Sequence, residues 1–276
     1  MSLVKYGTLK APGANLYYEV RGGSGPILFL IHGGGGEAEK YQYIAEDLAS
    51  LYTVVTYDRR GHSRSILDNP AEGYSVRIHS EDAHHLLSEL TNEPAFVFGS
   101  SSGAAIGLEL CIRHPEQIQV MIPHEPVLLQ LLFDEERVQA MKFLEDMREN
   151  HRSEVEKLLS NTYTDTSFSD QTKDEKTERL LNNSTYFVDY EIPGIISYSL
   201  DIHRLKNALE STSMKVKPAG GKDSREFFAY QCSAKLSKEL ATKFIEFPGH
   251  HGGYNTLQHK EFAEKLHEAL TEARVE

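Results

Sequence analysis

Gly99-Ser100-Ser101-Ser102-Gly103 puts a serine at the centre of a G-x-S-x-G pentapeptide. The apolar run 95–98 before it reads as a strand, and residues 104–113 after it read as a helix of small and aliphatic residues. A serine on so sharp a strand-to-helix turn stands out of the sheet, with a helix N-terminus aimed at it. Side chains at the two flanking glycine positions would collide with neighbouring backbone. Such a serine is suited to nucleophilic attack. Its hydroxyl is barely ionised near neutral pH, so it needs a general base within hydrogen-bond reach, and histidine fits that task.

His32-Gly33-Gly34-Gly35-Gly36 closes the run Pro26–Ile31, PILFLI. Glycines there let a backbone N–H approach a substrate oxygen. The N–H groups of Gly34 and Ser102 would together make a two-donor oxyanion hole. A Walker phosphate loop would need Lys-Ser or Lys-Thr after the glycines, and Glu37-Ala38 follow instead. His32 reads as structural, holding the loop by hydrogen bonds.

These residues need a frame. Short apolar runs at 26–31, 53–57, 95–98 and 118–123 have the character of strands buried on both faces. Residues 15–21 alternate as in an antiparallel strand, and helical spacing covers 39–51, 77–90 and 104–113. Strand alternating with helix predicts a doubly wound, mostly parallel α/β sheet. After Pro126 the pattern changes to polar helices, with candidates at 135–150, 154–160, 173–183 and 199–209. Alternation resumes with a strand near 214–219, a helix over 226–240, a strand at 243–247 and a closing helix over 261–273. The expected organisation is a core of 1–125 and 214–276, interrupted by a helical cap over 126–213. The polar stretch 165–174 reads as a loop inside the cap. Tyr163, Tyr186, Tyr190 and Tyr198 read as packing or pocket lining.

Composition narrows the function classes. Lys and Arg number 29 against 41 Asp and Glu, a net charge of −12 over 276 residues. That argues against nucleic acid and anionic membrane as partners, since both need clustered positive charge. Two cysteines, Cys111 and Cys232, are too few for a disulfide framework or a four-thiolate metal site, and both read as packing. Thirteen histidines form no H-E-x-x-H or H-x-x-x-H helical pair, so no metal site is expected. No apolar run approaches a membrane span, and the first residues carry no secretion signal, so the expected location is cytoplasmic.

The segments ILFLIHGGGG, VVTYDRRGHSRS (54–65) and VFGSSSG together resemble the α/β-hydrolase fold superfamily. The likeness is good over 26–123, reasonable over 214–270 and weak over 127–213. It implies an eight-stranded, mostly parallel sheet with a cap after the sixth strand. It also implies a triad in the chain order nucleophile, acid, histidine. The run from Asp58 to Ser65 lacks one glycine of the superfamily's D-x-R-G-x-G-x-S segment, and its role there is structural. A serine nucleophile, rather than Asp or Cys, argues against haloalkane dehalogenases, epoxide hydrolases and dienelactone-type hydrolases. The absence of tryptophan argues against proline iminopeptidases.

The resemblance places the histidine after the last strand, in Pro248-Gly249-His250-His251-Gly252-Gly253-Tyr254. His251 aligns with the base and His250 with a glycine. Adjacent side chains on an extended loop point in different directions, so one of the two can face Ser101. The acid is expected after the seventh strand, at Asp223 in Gly220-Gly221-Lys222-Asp223. Its rival is Glu125 in His124-Glu125-Pro126, a position from which a minority of the superfamily supplies the acid. The resemblance thus implies a cofactor-free serine hydrolase using Ser101, Asp223 and His251 on a small ester, thioester or lactone. Amide, carbon–carbon and peracid chemistry share that triad. The alternative is a small-molecule-binding receptor on the same fold. A homo-oligomer through an apolar edge strand or cap face stays open.

Overall fold

The computed structural model describes residues 3–69, 73–162 and 175–272, with side-chain detail omitted over 152–162. Among the described residues ten strands form one sheet: β1 (Val4–Ala11), β2 (Ala14–Arg21), β3 (Ile27–Ile31), β4 (Thr53–Tyr57), β5 (Ile66–Leu67), β6 (Ala95–Ser100), β7 (Ile118–His124), β8 (Lys215–Val216), β9 (Ala219–Gly221) and β10 (Ile245–Phe247). Eight of them run in the order β1-β2-β4-β3-β6-β7-β9-β10, while β5 pairs with β2 and β8 with β7. Strand β2 is antiparallel to β1, β4 and β5. The remaining pairs are parallel.

Nine α-helices accompany the sheet: α1 (Gln42–Leu48), α2 (Val76–Leu90), α3 (Ser102–Arg113), α4 (Asp134–Thr162), α5 (Glu175–Tyr186), α6 (Ile192–Ser197), α7 (Ile202–Ser211), α8 (Phe228–Glu239) and α9 (His259–Thr271), counted among the described residues. The described part of the segment between β7 and β8 holds helices and no strand, with α4 through α7 following one another. Residues 135–150 and 154–160, read as two helices from the sequence, lie in the one helix α4. Residues 165–174 and Tyr163 lie outside the described residues. Phe187–Glu191 is a five-residue π-helical turn between α5 and α6. Insertions of this kind change which side chains face inward, and they recur at functional sites.

The parallel strands bury both faces. On one side Phe29, Ile31, Val55 and Val97 pack beneath α2 and α3. On the other, Leu28, Leu30, Val54 and Phe98 pack against α1 and α9. The expected strand at 214–219 is broken into β8 and β9. Pro218 stands between them and has no N–H for the ladder, although its carbonyl accepts from Ile245 N–H at 3.0 Å.

The turn from β6 to α3 is packed on bare backbone. A Cβ at Gly103 would meet the carbonyl oxygen of Ile31 at 2.2 Å, and one at Gly99 would meet that of Gly103 at 2.4 Å. Both obstacles are main chain, one at the end of β3 and one in the first turn of α3, and cannot swing aside. Gly103→Ala should therefore lower the unfolding free energy by about 1–3 kcal/mol or more, as overpacking does. Urea denaturation measures it. A variant as stable as the parent would contradict this packing.

Candidate active site

Ser101 sits between β6 and α3 with φ 57° and ψ −123°. Few non-glycine residues adopt positive φ, and those that do cluster at functional positions. The conformation is held from both sides. Ser101 N–H donates to His124 O at 3.0 Å, and Ser101 O accepts from Ala104 N–H at 3.0 Å. Ser102 opens α3, where the first N–H groups have no partner within the helix.

Glu125 follows β7 directly and also has positive φ, at 48°. Its side chain is fully buried. Oε2 accepts from His251 Nδ1 at 2.6 Å. Oε1 accepts from Gly221 N–H at 2.7 Å and from the Ser224 hydroxyl. Burial alone would raise the pKa of this carboxyl. The His251 hydrogen bond, together with that from Ser224, outweighs burial and holds it below the usual carboxylate range.

Asp223 therefore does not stand behind the histidine, which corrects the sequence expectation. The carboxylate on Nδ1 is Glu125, and Asp223 is exposed on the turn after β9. The reason lies in the sheet. β7 and β9 are neighbours, with His124 opposite Ala219, so Glu125 enters the space beside the histidine loop from the adjacent strand. The turn after β9 supplies donors to that carboxylate, Gly221 N–H and Ser224, in place of an acid. The signal available in the sequence was His124-Glu125-Pro126 at the end of an apolar strand. Nothing in a linear reading ranks it above a G-x-x-D turn.

The structure separates the paired histidines. His250 is exposed, and its Nδ1 accepts from Gly252 N–H of its own loop at 3.0 Å. His251 is turned inward onto Glu125 and lines the same cavity as Ser101. That cavity holds about 270 Å³. Its walls are largely apolar, with Val127, Leu144, Met147, Phe187, Ile195 and Phe227 among them. Gly33 and Gly34 line it too. A Cβ at Gly33 would lie 3.0 Å from that of Ser101, so the glycine loop passes directly over the serine. Phe187 covers Gly34, where a Cβ would fall 2.1 Å from the ring.

This arrangement provides a nucleophile, an imidazole with its second nitrogen on a buried carboxylate, and glycine backbone beside the serine. It suits acyl transfer. No group of three or more His, Cys, Asp or Glu among the described residues could hold a metal ion. Among them, no helix is long and apolar enough to cross a membrane.

Comparison with known proteins agrees on the fold. The α/β hydrolase fold family matches residues 26–243. The uncharacterized hydrolase YraK of Bacillus subtilis (strain 168) is 60% identical over 267 residues, covering 97% of this chain and 96% of that protein. A Pseudomonas aeruginosa protein provisionally described as an epoxide hydrolase superposes with a TM-score of 0.74 at 19% identity, over 98% of this chain and 96% of that one. The thioesterase domain from the curacin biosynthetic pathway superposes with a TM-score of 0.65 at 18% identity, over 97% and 99%. At these identities the two structures speak for the fold alone. The chain is a hydrolase and belongs to the α/β-hydrolase fold family.

The depressed Glu125 carboxyl has a consequence for stability. A folded-state pKa below the unfolded value contributes stability that is complete above the unfolded pKa, and that is lost as pH falls through the folded one. Between about pH 6 and about pH 3 the wild-type unfolding free energy should therefore fall more steeply than that of Glu125→Gln. Denaturant titrations across this range measure it, and parallel curves would remove Glu125 from the set of depressed carboxyls.

Proposed function

We propose that the protein is a serine hydrolase of small carboxylic esters or thioesters, working through an acyl-enzyme on Ser101. The observation that carries this reading is the 2.6 Å hydrogen bond from His251 Nδ1 to buried Glu125, on a ring that shares an apolar cavity with Ser101. With Nδ1 donating to the carboxylate, Nε2 is left unprotonated to accept the serine proton. Ser101 Oγ attacks the acyl carbon, and its proton passes to His251 Nε2. Glu125 stabilises the imidazolium that forms. The oxyanion lies against the N–H groups of Gly34 and Ser102. Collapse expels the alcohol or thiol, which takes the proton from His251. Water then attacks the acyl-enzyme, with the same imidazole as base.

The cavity limits the acyl group. About 270 Å³ lies below the roughly 300 Å³ at which ligand pockets usually begin, and apolar walls favour a short hydrocarbon chain. Serine as nucleophile disfavours epoxide opening, which in this fold uses a carboxylate.

p-Nitrophenyl esters of graded acyl length test the reading. Acetate and butyrate should be turned over faster than decanoate. Ser101→Ala should lower kcat by about 10⁵-fold or more while the protein remains folded. Near-native turnover by that variant would end the mechanism. The acid is tested separately. Glu125→Gln should cost on the order of 10⁴ in kcat, as removal of the carboxylate charge does in a related triad, and Asp223→Asn should change it less than about threefold. The reverse ranking would return the acid to the turn after β9.

A further inference from the structure

We propose that Arg59, held by Glu191 of the helical segment between β7 and β8, is a positioning residue that orients the Gly33–Gly34 peptide so that Gly34 N–H faces the cavity as an oxyanion donor. The proposal rests on the serine-hydrolase reading above. It adds a cap-to-core ion pair that sets the geometry of the hole.

In a trans peptide the C=O of one residue and the N–H of the next point in opposite directions within one plane. No cis peptide occurs among the described residues. Whatever grips Gly33 O therefore aims Gly34 N–H the other way. Two donors grip it: Arg59 Nη2 at 3.0 Å and Gly36 N–H at 3.3 Å, with His32 Nδ1 2.8 Å from the same oxygen. Arg59 is fully buried and lies outside the cavity wall, whereas Gly33 and Gly34 form part of that wall. The carbonyl thus faces the interior, and the N–H faces the space over Ser101. A peptide between two glycines has little resistance of its own to rotation, so these bonds decide its orientation.

Arg59 is itself fixed. Its Nη2 meets both oxygens of Glu191, at 2.9 and 3.0 Å, and both side chains are wholly buried. Its backbone N–H donates to His32 Nε2 at 3.2 Å and its Nε–H to His32 Nδ1 at 3.3 Å, so the imidazole packs directly against the guanidinium. Burial and the adjacent guanidinium keep His32 neutral.

Glu191 ends the π-helical turn whose first residue, Phe187, covers Gly34. One turn earlier, Asn183 Nδ2 donates to Gly36 O at 3.0 Å, and its Oδ1 accepts from Ser63 N–H at 2.7 Å. The helical segment therefore grips the glycine loop at both ends. Removing one member of a buried ion pair strands the other charge, whereas an apolar pair of similar volume can be tolerated.

The test uses that asymmetry. The double variant Arg59→Met/Glu191→Met removes the pair without leaving a lone charge. With p-nitrophenyl butyrate, kcat should fall about 10²–10³-fold, the loss usual for one oxyanion donor, with KM changed less than about threefold. A trifluoromethyl ketone is the second probe. Ser101 Oγ adds to its carbonyl carbon, the serine proton passes to His251, and the carbonyl pair becomes an oxyanion in the hole. Its affinity should fall in parallel with kcat. A merely structural ion pair would alter thermal stability and leave both readouts alone. A folded double variant with unchanged kcat and inhibitor affinity overturns the proposal. Should the double variant not fold, Glu191→Gln carries the same test with a smaller loss in the same direction, and unchanged values there overturn it equally. Ser101→Ala runs alongside. If that variant retains turnover, the serine-hydrolase reading has failed. If it is inactive while the Arg59 and Glu191 variants are unaffected, the positioning role alone has failed.

Discussion

Everything at the site depends on one approach of backbone to backbone. Gly103 stands against the carbonyls of Ile31 and His32, and this sets how closely α3, which starts just past the end of β6, can approach the end of β3. Ser101 and the glycine loop occupy those two strand ends. With β3 and β6 paired in parallel up to Ile31 and Gly99, the next residues of each chain emerge side by side at one edge of the sheet. The positive φ of Ser101 then follows from the need to reverse into α3 within one residue. A side chain at Gly103 would push the helix away and separate the serine from the backbone that passes over it.

Around this turn the protein keeps two carboxylates charged in its interior. Glu125 does so with donors to both oxygens: His251, Gly221 N–H and Ser224. Glu191 does so with the Arg59 guanidinium and the His62 ring, whose Nε2 lies 3.4 Å from Oε2. Burial opposes the charged form of each, and the directed hydrogen bonds and charges outweigh it, so both have lowered pKa values. The two are not interchangeable. A carboxylate on an imidazole stabilises a charge that appears during a reaction. A carboxylate on an arginine meets a charge that is always present, so it serves geometry.

Much of the frame was legible because buried parallel strands leave dense apolar runs, and β3, β4, β6 and β7 all show them. Strand β1 escaped because it is an edge strand with only Ala11 buried, so Lys5, Thr8 and Lys10 carry no apolar pattern. The serine was legible because its turn demands glycine at both flanks. The carboxylate was harder. Both Glu125 and Asp223 follow strands that end beside the histidine loop, and the choice rests on which carboxylate meets His251 Nδ1, a contact across 126 residues that no linear pattern carries. The Arg59–Glu191 pair was beyond reach of a linear reading, since 132 residues separate its members and Arg59 lies in a segment whose role there read as structural.

That separation in sequence has a physical consequence for how such a site can vary. The segment between β7 and β8 supplies Leu144, Met147, Phe187 and Ile195 to the cavity wall, and Glu191 to the core. Phe187 and Glu191 are the two ends of one π-helical turn. A change that re-registers this turn to enlarge the cavity also moves the carboxylate that holds Arg59, and through Arg59 the carbonyl of Gly33. Cavity shape and the orientation of the Gly33–Gly34 peptide are then coupled by backbone. Side-chain substitution at Leu144 or Met147 in α4, outside that turn, leaves the coupling untouched. Cavity shape is therefore most freely altered from α4, and least freely from the turn that carries Phe187.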